Sequence, residues 1–247
     1  MFAQNSSGNK KDNQIVKLYD ALEESGFSVA ITGAGISIAA GGVSYAGMGA
    51  RGGIGMMGRN PENMYNGLYR VFLSAAFEHG PTEAHKALAR LEEMGKLQGI
   101  ITTNEDCIHT MAGSKNVAEI QGSFQINTCN DCGHRVYDYE IWNHGEMPRC
   151  PECGGVLLPY NVYSHVGLWE EDVKKAQEWM SQADLILIIG TSGYFGSVYW
   201  DYRKRNARII QINQKRTHFD SIAELNIHRD ADPVFEELMK LEESEEK

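Results

Sequence analysis

The sequence predicts an α/β protein built on a doubly wound parallel sheet. Three observations favour this class. Strand and helix patterns alternate along the chain, two apolar strands run directly into glycine turns, and the composition is that of a globular protein. Of the 247 residues, 42% are hydrophobic and 23% are charged. A chain of this size can bury a complete core.

The first predicted strand covers residues 27–32 and follows a predicted helix at residues 14–25, where apolar residues recur every three or four positions. The strand runs into Gly33, Ala34 and Gly35, and the residues after them favour a helix. A glycine turn between a strand and a helix exposes backbone N–H groups that can hold a pyrophosphate. On its own, such a turn is as often purely structural.

The same alternation returns further along the chain. A helix predicted from Thr82 leads to a strand at residues 99–103, and a helix at residues 169–182 leads to the fully apolar strand 185–189. We expect that apolar strand to be buried on both faces. Two further elements are predicted, a strand at residues 208–213 and a helix at residues 233–241.

A second glycine turn, Gly190-Thr191-Ser192, ends the apolar strand. Two such turns in one parallel sheet predict a crevice for a dinucleotide. Residues 41–58 differ from the rest of the chain, because they contain eight glycines and no periodic apolar pattern. We interpret them as a flexible loop.

Four of the five cysteines form two pairs with the spacing of a metal site. Cys129 and Cys132 are separated by two residues, as are Cys150 and Cys153, and seventeen residues lie between the pairs. This doubled spacing predicts a tetrahedral structural zinc held by four thiolates. Because no coordination position is left for water, the metal is expected to stabilise the fold.

The charge and the hydropathy pattern exclude other classes. The formal net charge is −10, which disfavours binding to nucleic acid. No apolar run reaches the length of a membrane helix, and the polar start lacks the core of a secretory signal. We therefore expect a cytoplasmic protein without membrane attachment.

Several segments taken together resemble the sirtuin family over residues 29–238. The segments are Gly33-Ala34-Gly35-Ile36-Ser37, residues 81–88, residues 102–109, Glu119-Ile120-Gln121-Gly122-Ser123, the four paired cysteines, Gly190-Thr191-Ser192, Ile212-Asn213 and Asp230-Ala231-Asp232. The resemblance implies a Rossmann-type NAD-binding domain formed by residues 13–41, 83–124 and 160–245. It also implies a flexible cofactor-loop and helical module at residues 42–82 and a zinc ribbon at residues 125–159.

The resemblance also implies which residues contact NAD. Asn104, Asp106 and Gln121 would be catalytic, with Asn104 and Asp106 at the nicotinamide ribose and carboxamide. The NAD-binding set it implies is Gly33, Ala34, Gly35, Ser37, Tyr45, Asn104, Asp106, Gln121, Gly190, Thr191, Ser192, Asn213 and Ala231. Within it, Ser37, Ser192 and the glycine turns would hold the phosphates, and Asn213 and Ala231 the adenosine end. His85 and His109 are interpreted as hydrogen-bonded packing residues.

One departure from the family governs the functional prediction. Deacylating sirtuins have a histidine base where this chain has Gln121, and a glutamine amide has no accessible pKa for general-base work. Similar departures occur in the macrodomain-linked class M sirtuins, which are associated with ADP-ribosylation of lipoylated carrier proteins. The sequence therefore predicts an enzyme that cleaves the nicotinamide–ribose bond of NAD and transfers ADP-ribose to a protein.

Two alternatives stay open. The first is deacylation of an acyl-lysine protein with another base, for which His165 is the candidate. The second is an NAD-hydrolysing or nucleotide-sensing module, in which the glycine-rich loop orders when nucleotide binds.

Overall fold

Nine strands form two sheets in the computed structural model, which describes residues 6–40, 60–69, 73–160, 168–193 and 196–245. The strands are β1 (Ser28–Thr32), β2 (Gly99–Thr102), β3 (Val117–Glu119), β4 (Ile126–Cys129), β5 (Arg135–Tyr137), β6 (Leu157–Pro159), β7 (Leu185–Ile189), β8 (Arg208–Ile212) and β9 (Leu225–Ile227). Six strands form a parallel sheet in the order β3-β2-β1-β7-β8-β9. Three form an antiparallel sheet in the order β5-β4-β6.

The helices lie before, between and after these strands. They are α1 (Ser6–Glu24), α2 (Pro61–Leu68), α3 (Ser74–His79), α4 (Glu83–Glu93), α5 (Ile108–Met111), α6 (Glu170–Gln182) and α7 (Ala231–Glu245). Local chemistry explains where two of them begin: the Asn60 side chain caps α2, and the Thr82 hydroxyl accepts the N–H of His85 at the start of α4. Within the described part of the chain, no helix combines the length and apolarity needed to cross a membrane.

Both faces of the parallel sheet are covered by helices. On one face α1, α4 and α7 bury Leu18, Leu88 and Phe235 against the sheet, and on the other face α6 buries Met180. All five residues of β7 are buried, as predicted. The structure therefore confirms the α/β class, with a doubly wound parallel sheet and a small additional sheet that carries the cysteines.

An aromatic cluster joins α2 to the small sheet and its connections. The ring of Tyr65 stacks on Trp142 with centroids 6.1 Å apart, and its hydroxyl donates to the Trp142 carbonyl at 2.9 Å. Leu73, Phe124 and Met147 are buried in the same cluster. The helix α2 and the small sheet with its connections thus share one hydrophobic cluster.

The strand order reverses direction between β1 and β7. From β1 the chain adds β2 and β3 on one side, and from β7 it adds β8 and β9 on the other. In open parallel sheets, ligands bind outside the carboxyl ends of the strands at such a reversal. The carboxyl ends of β1 and β7 carry the two glycine turns.

A charged contact ties the last helix to the sheet. Lys96, in the connection before β2, lies 2.6 Å from the carboxylate of Glu242 in α7 and also contacts Glu23 in α1. Glu242 is buried, with a relative exposure of 4%. Because Lys96 retains Glu23, we expect Glu242→Gln to lower the free energy of unfolding by about 2 kcal/mol rather than by the full cost of an orphaned charge.

Urea unfolding of the wild type and the variant at neutral pH measures this loss. Glu236→Gln is the matched control, because Glu236 lies on the same helix and forms an exposed, 4.0 Å contact with Lys240. Its effect should stay below about 0.5 kcal/mol. Equal effects of the two substitutions would contradict a stabilising role for the buried contact.

Candidate functional site

The two glycine turns touch each other at the reversal point of the sheet. The N–H of Gly35 donates to the carbonyl of Gly190 at 2.9 Å. A Cβ on Gly35 would lie 2.6 Å from that oxygen, and one on Gly33 would lie 2.7 Å from the Cβ of Thr191. Only glycine permits this approach, which brings both turns to one crevice.

Ala34 begins a 3-10 helix that runs to Ala40. The sequence predicted an ordinary helix start here. A 3-10 helix is wound more tightly than an α-helix, and here it begins where Gly35 is in close contact with Gly190. Ser37, in the middle of this segment, is buried, and its hydroxyl is directed at the end of the neighbouring strand β2.

The residues that follow β2 complete a polar cluster with Ser37. The Ser37 hydroxyl donates to Oδ2 of Asp106 at 2.9 Å, and Nδ2 of Asn104 lies 3.2 Å from the Ser37 oxygen and 3.2 Å from the Gly33 carbonyl. The N–H of Asn104 donates to the Thr102 hydroxyl at 3.0 Å. The structure therefore brings together three of the predicted residues, Ser37, Asn104 and Asp106, at the first glycine turn.

Asp106 is the acidic group of this cluster. Burial raises the pKa of its carboxyl, while hydrogen bonds from the N–H of Ile108 and the hydroxyl of Ser37 oppose that rise. Once ionised, a carboxylate in such a desolvated place stabilises a nearby positive charge more strongly than it would in water.

Gln121 lies in the turn that follows β3, and its side chain is partly exposed. The carboxyl of Glu119, two residues earlier, accepts a 2.5 Å hydrogen bond from the hydroxyl of Ser123. Burial raises the pKa of Glu119 to about 8, so this carboxyl is mostly protonated at neutral pH. The sequence alone predicts no role for Glu119 or Ser123. The available signal was an acid at the end of an otherwise apolar strand.

The second glycine turn leads to the other end of the crevice. Gly190 has a positive φ of 59°, Thr191 is buried and Ser192 is exposed. Nδ2 of Asn213, just after β8, donates to the Thr191 carbonyl at 3.1 Å. Ala231 is the first residue of α7 and packs partly against the core. Asn213 is therefore hydrogen-bonded to the second turn, whereas the methyl side chain of Ala231 can make no hydrogen bond.

His85 and His109 form a buried pair next to the first turn. Their rings lie 4.7 Å apart, and each has one nitrogen 2.9 Å from a threonine hydroxyl: Thr82 for His85, and Thr32 for His109. Burial lowers the pKa of His109 to about 3 and that of His85 well below its usual range. Both rings are neutral at neutral pH, as the packing interpretation expects.

Cys107 directly follows Asp106 and has a left-handed backbone, with φ of 59°. Its side chain is buried at 2% exposure, and burial raises the pKa of the thiol well above its usual range. The thiol is therefore protonated at neutral pH. Two predicted participants, Tyr45 and His165, lie outside the described residues, as does the whole glycine-rich segment at 41–58.

The four paired cysteines converge at one end of the small sheet. The sulfur atoms of Cys129, Cys132, Cys150 and Cys153 all lie within 4.8 Å of one another. The sulfurs of Cys129 and Cys153 are 3.5 Å apart, and those of Cys132 and Cys150 are 3.7 Å apart. A tetrahedron with zinc–sulfur bonds of about 2.3 Å requires sulfur separations of about 3.8 Å. The cluster therefore fits a structural zinc.

The backbone around the cysteines supports the same geometry. Gly133 and Gly154 each follow a cysteine pair and have φ of 74° and 76°. Such left-handed glycines allow the chain to turn tightly behind a pair of ligands. The N–H of Asp131 also points to the sulfur of Cys129 at 3.4 Å.

Comparisons with known proteins agree on one family. The model described as the Sir2 family matches residues 54–196 of this chain. NAD-dependent protein deacetylase 1 of Pyrobaculum aerophilum is 32% identical over 92% of this chain and 94% of its own length. The NAD-dependent protein deacylase of Thermococcus kodakarensis is 31% identical over 89% of this chain and 92% of its own length.

Solved structures give the same result at the level of the fold. A Sir2 homologue in complex with NAD superposes with a TM-score of 0.75, at 28% identity over 94% of this chain and 95% of the other. A Sir2 complex with a p53 peptide and NAD⁺ has a TM-score of 0.74, at 25% identity over 92% of this chain and 98% of the other.

Proposed function

The chain belongs to the Sir2, or sirtuin, family, and from that premise we propose that it consumes NAD and transfers ADP-ribose to a protein acceptor. The relatives named above support the NAD-dependent part, since their names specify NAD-dependent protein deacetylation or deacylation. The choice of acceptor rests on Gln121, which stands where the resemblance places a histidine base.

The crevice suits NAD as the substrate. Gly33 and Gly35 allow the two turns to lie against each other, at the point of the sheet where parallel α/β proteins hold a dinucleotide. In this proposal Ser37, Thr191, Ser192 and the glycine turns hold the phosphates, and Asn213 and Ala231 bound the adenosine end. The proposal also assigns to Tyr45, which lies outside the described residues, a contact with the nicotinamide.

Cleavage of the nicotinamide–ribose bond places positive charge on the ribose. Asn104 and Asp106 lie together at the first turn, and we assign to them the orientation of the nicotinamide ribose and the stabilisation of that charge. Gln121 would position the ribose by hydrogen bonds through its amide, which both donates and accepts.

Transfer to a carboxylate acceptor needs no base at position 121. The bond between C1′ and the nicotinamide nitrogen breaks, the acceptor oxygen forms a bond to C1′, and nicotinamide leaves as a neutral molecule. Because an ionised carboxylate has no proton to lose, a glutamine does not hinder this reaction. A lipoylated carrier protein is one acceptor class to be tested.

Deacylation is the second candidate, because it matches the names of the relatives. In that reaction the acyl oxygen attacks C1′, and a base then removes the proton of a ribose hydroxyl. Absence of such a base typically costs about 100- to 10,000-fold in rate. A deacylase would therefore need a base other than Gln121, such as His165.

Mass spectrometry of the products distinguishes the two reactions. NAD is supplied with acetyl-lysine, longer acyl-lysine and lipoylated carrier substrates, and both nicotinamide and the modified protein are measured. We expect the wild type to add the mass of ADP-ribose to a protein. Free lysine amine together with O-acyl-ADP-ribose would instead establish deacylation, and nicotinamide release without a modified acceptor would indicate hydrolysis of NAD.

The substitution Gln121→His provides the matching prediction. A histidine at this position restores a group with a pKa near neutrality, so deacylation should increase by about 100-fold or more over the wild type. Gln121→Asn is the control, because it keeps an amide and should produce no such gain. An equal rate of deacylation in the wild type and Gln121→His would contradict the assignment of Gln121.

A further inference from the structure

Gln121 lies in a turn whose preceding residues are held by the start of α6. The N–H of Glu119 donates to Oδ2 of Asp172 at 2.9 Å. The carbonyl of Ile120 accepts the N–H of Trp169 at 2.7 Å. Both partners lie at the first turn of α6, where Trp169 occupies the N-cap position. The chain is thus fixed to α6 immediately before Gln121.

The residue after Gln121 is held in a different way. Gly122 has a φ of 73°, and the ring of Tyr160 lies directly against it. A Cβ on Gly122 would lie 2.5 Å from Cδ1 and 3.1 Å from Cγ of Tyr160. The aromatic ring therefore fills the space that a side chain at position 122 would take, and it packs directly against the backbone of the turn.

Tyr160 packs against Trp169 at the start of α6, and Trp169 in turn contacts the small sheet. Its ring meets Trp169 edge to face with centroids 4.5 Å apart, and Trp169 is itself buried at 7% exposure. The guanidinium of Arg135, in β5, lies 5.3 Å from the centroid of the Trp169 ring. A continuous series of contacts therefore leads from Arg135 through Trp169 and Tyr160 to the turn that carries Gln121.

We infer that Tyr160 is a positioning residue for Gln121 and that Trp169 and Arg135 hold Tyr160 in its place. The inference rests on the proposed function, because it assigns Gln121 to the ribose of NAD. The partly exposed Gln121 side chain contacts the substrate in this arrangement, and Tyr160 acts only through it. Accurate placement matters because a displacement of about 1 Å in an active site can cost about 100-fold in rate.

The first test separates the turnover number from the Michaelis constant for NAD in nicotinamide release. Tyr160→Leu removes the ring, and we expect kcat to fall about tenfold or more with a change of less than about twofold in KM. Tyr160→Phe should keep wild-type kcat, since the hydroxyl makes only a 3.4 Å contact with the Leu168 carbonyl. Tyr137→Leu is the matched control, because Tyr137 is an exposed tyrosine at the end of β5.

The second test asks whether Tyr160 acts through Gln121. In the Gln121→Ala background, Tyr160→Leu should cause no further loss of kcat, because the group to be positioned is gone. Multiplicative losses in the double variant would overturn the inference. So would a Tyr160→Phe variant as impaired as Tyr160→Leu.

A third measurement does not depend on activity. Amide hydrogen exchange of a peptide covering residues 119–123 should be about tenfold faster in Tyr160→Leu than in the wild type, and unchanged in Tyr137→Leu. Unchanged exchange in Tyr160→Leu would overturn the inference even in an active enzyme. If the wild type releases no nicotinamide but exchange is still faster in Tyr160→Leu, the proposed function is refuted and the structural role of Tyr160 stands.

Discussion

Replacement of Asp106 by asparagine will lower the rate of nicotinamide release by about 100- to 1,000-fold, the range observed when one preorganised electrostatic group is removed from an active site. Asparagine keeps the shape of the side chain, and its one oxygen can still accept the N–H of Ile108 while its NH2 donates to the Ser37 hydroxyl, but it carries no negative charge. The loss should therefore appear in kcat more than in the KM for NAD. Asp201→Asn, at an exposed aspartate far along the chain, is the control.

The pH profile adds a second readout to this prediction. Burial raises the pKa of Asp106. On acidification, this carboxylate is therefore protonated at a higher pH than an ordinary aspartate. Wild-type activity should thus decline on the acid side at that higher pH, and the decline should be absent from the residual activity of Asp106→Asn. An unchanged acid limb in the variant would assign the titration to another group.

Loss of one zinc ligand will have the second large effect. In Cys153→Ser, we expect zinc content to fall from one atom per chain to a small fraction, and the small sheet to lose its native structure. Metal binding contributes on the order of 10 kcal/mol to the folding of small zinc modules, which is large for a sheet of three short strands. Elemental analysis and near-ultraviolet circular dichroism measure the two losses.

Cys107→Ser is the matched control for the zinc prediction. Cys107 is the fifth cysteine and lies outside the cluster, so this variant should retain zinc in full. Zinc loss in both variants, or a wild type that keeps its near-ultraviolet spectrum after complete removal of the metal, would contradict a structural four-cysteine site.

Much of the fold follows from local sequence patterns, and the exceptions have physical reasons. The strand β7 was predictable because five consecutive apolar residues are buried on both faces. The strands β3 and β9 were missed because each has only three residues, too few to show a period. The helix α1 begins at Ser6 instead of near residue 14, since its first turns are polar and lack an apolar stripe.

The candidate site also has parts that the sequence predicts and parts that it does not. The cysteine cluster was predictable from spacing alone, because two short loops determine where the four sulfurs lie. The contact between Ser37 and Asp106 joins residues 69 positions apart, and no local pattern encodes it. The raised pKa of Glu119 likewise depends on burial by distant residues, so it required the folded structure.

The aromatic cluster around Tyr65 also sets an order of events during synthesis of the protein. The partner of the Tyr65 hydroxyl, Trp142, lies 77 residues later in the chain. A ribosome adds about 5–20 residues per second, so about 4–15 s pass between the two. Until the end of that interval, the cluster that buries Tyr65 and Leu73 lacks Trp142. The growing chain therefore exposes apolar side chains of this cluster until residue 142 has been added, so α2 reaches its native packing late.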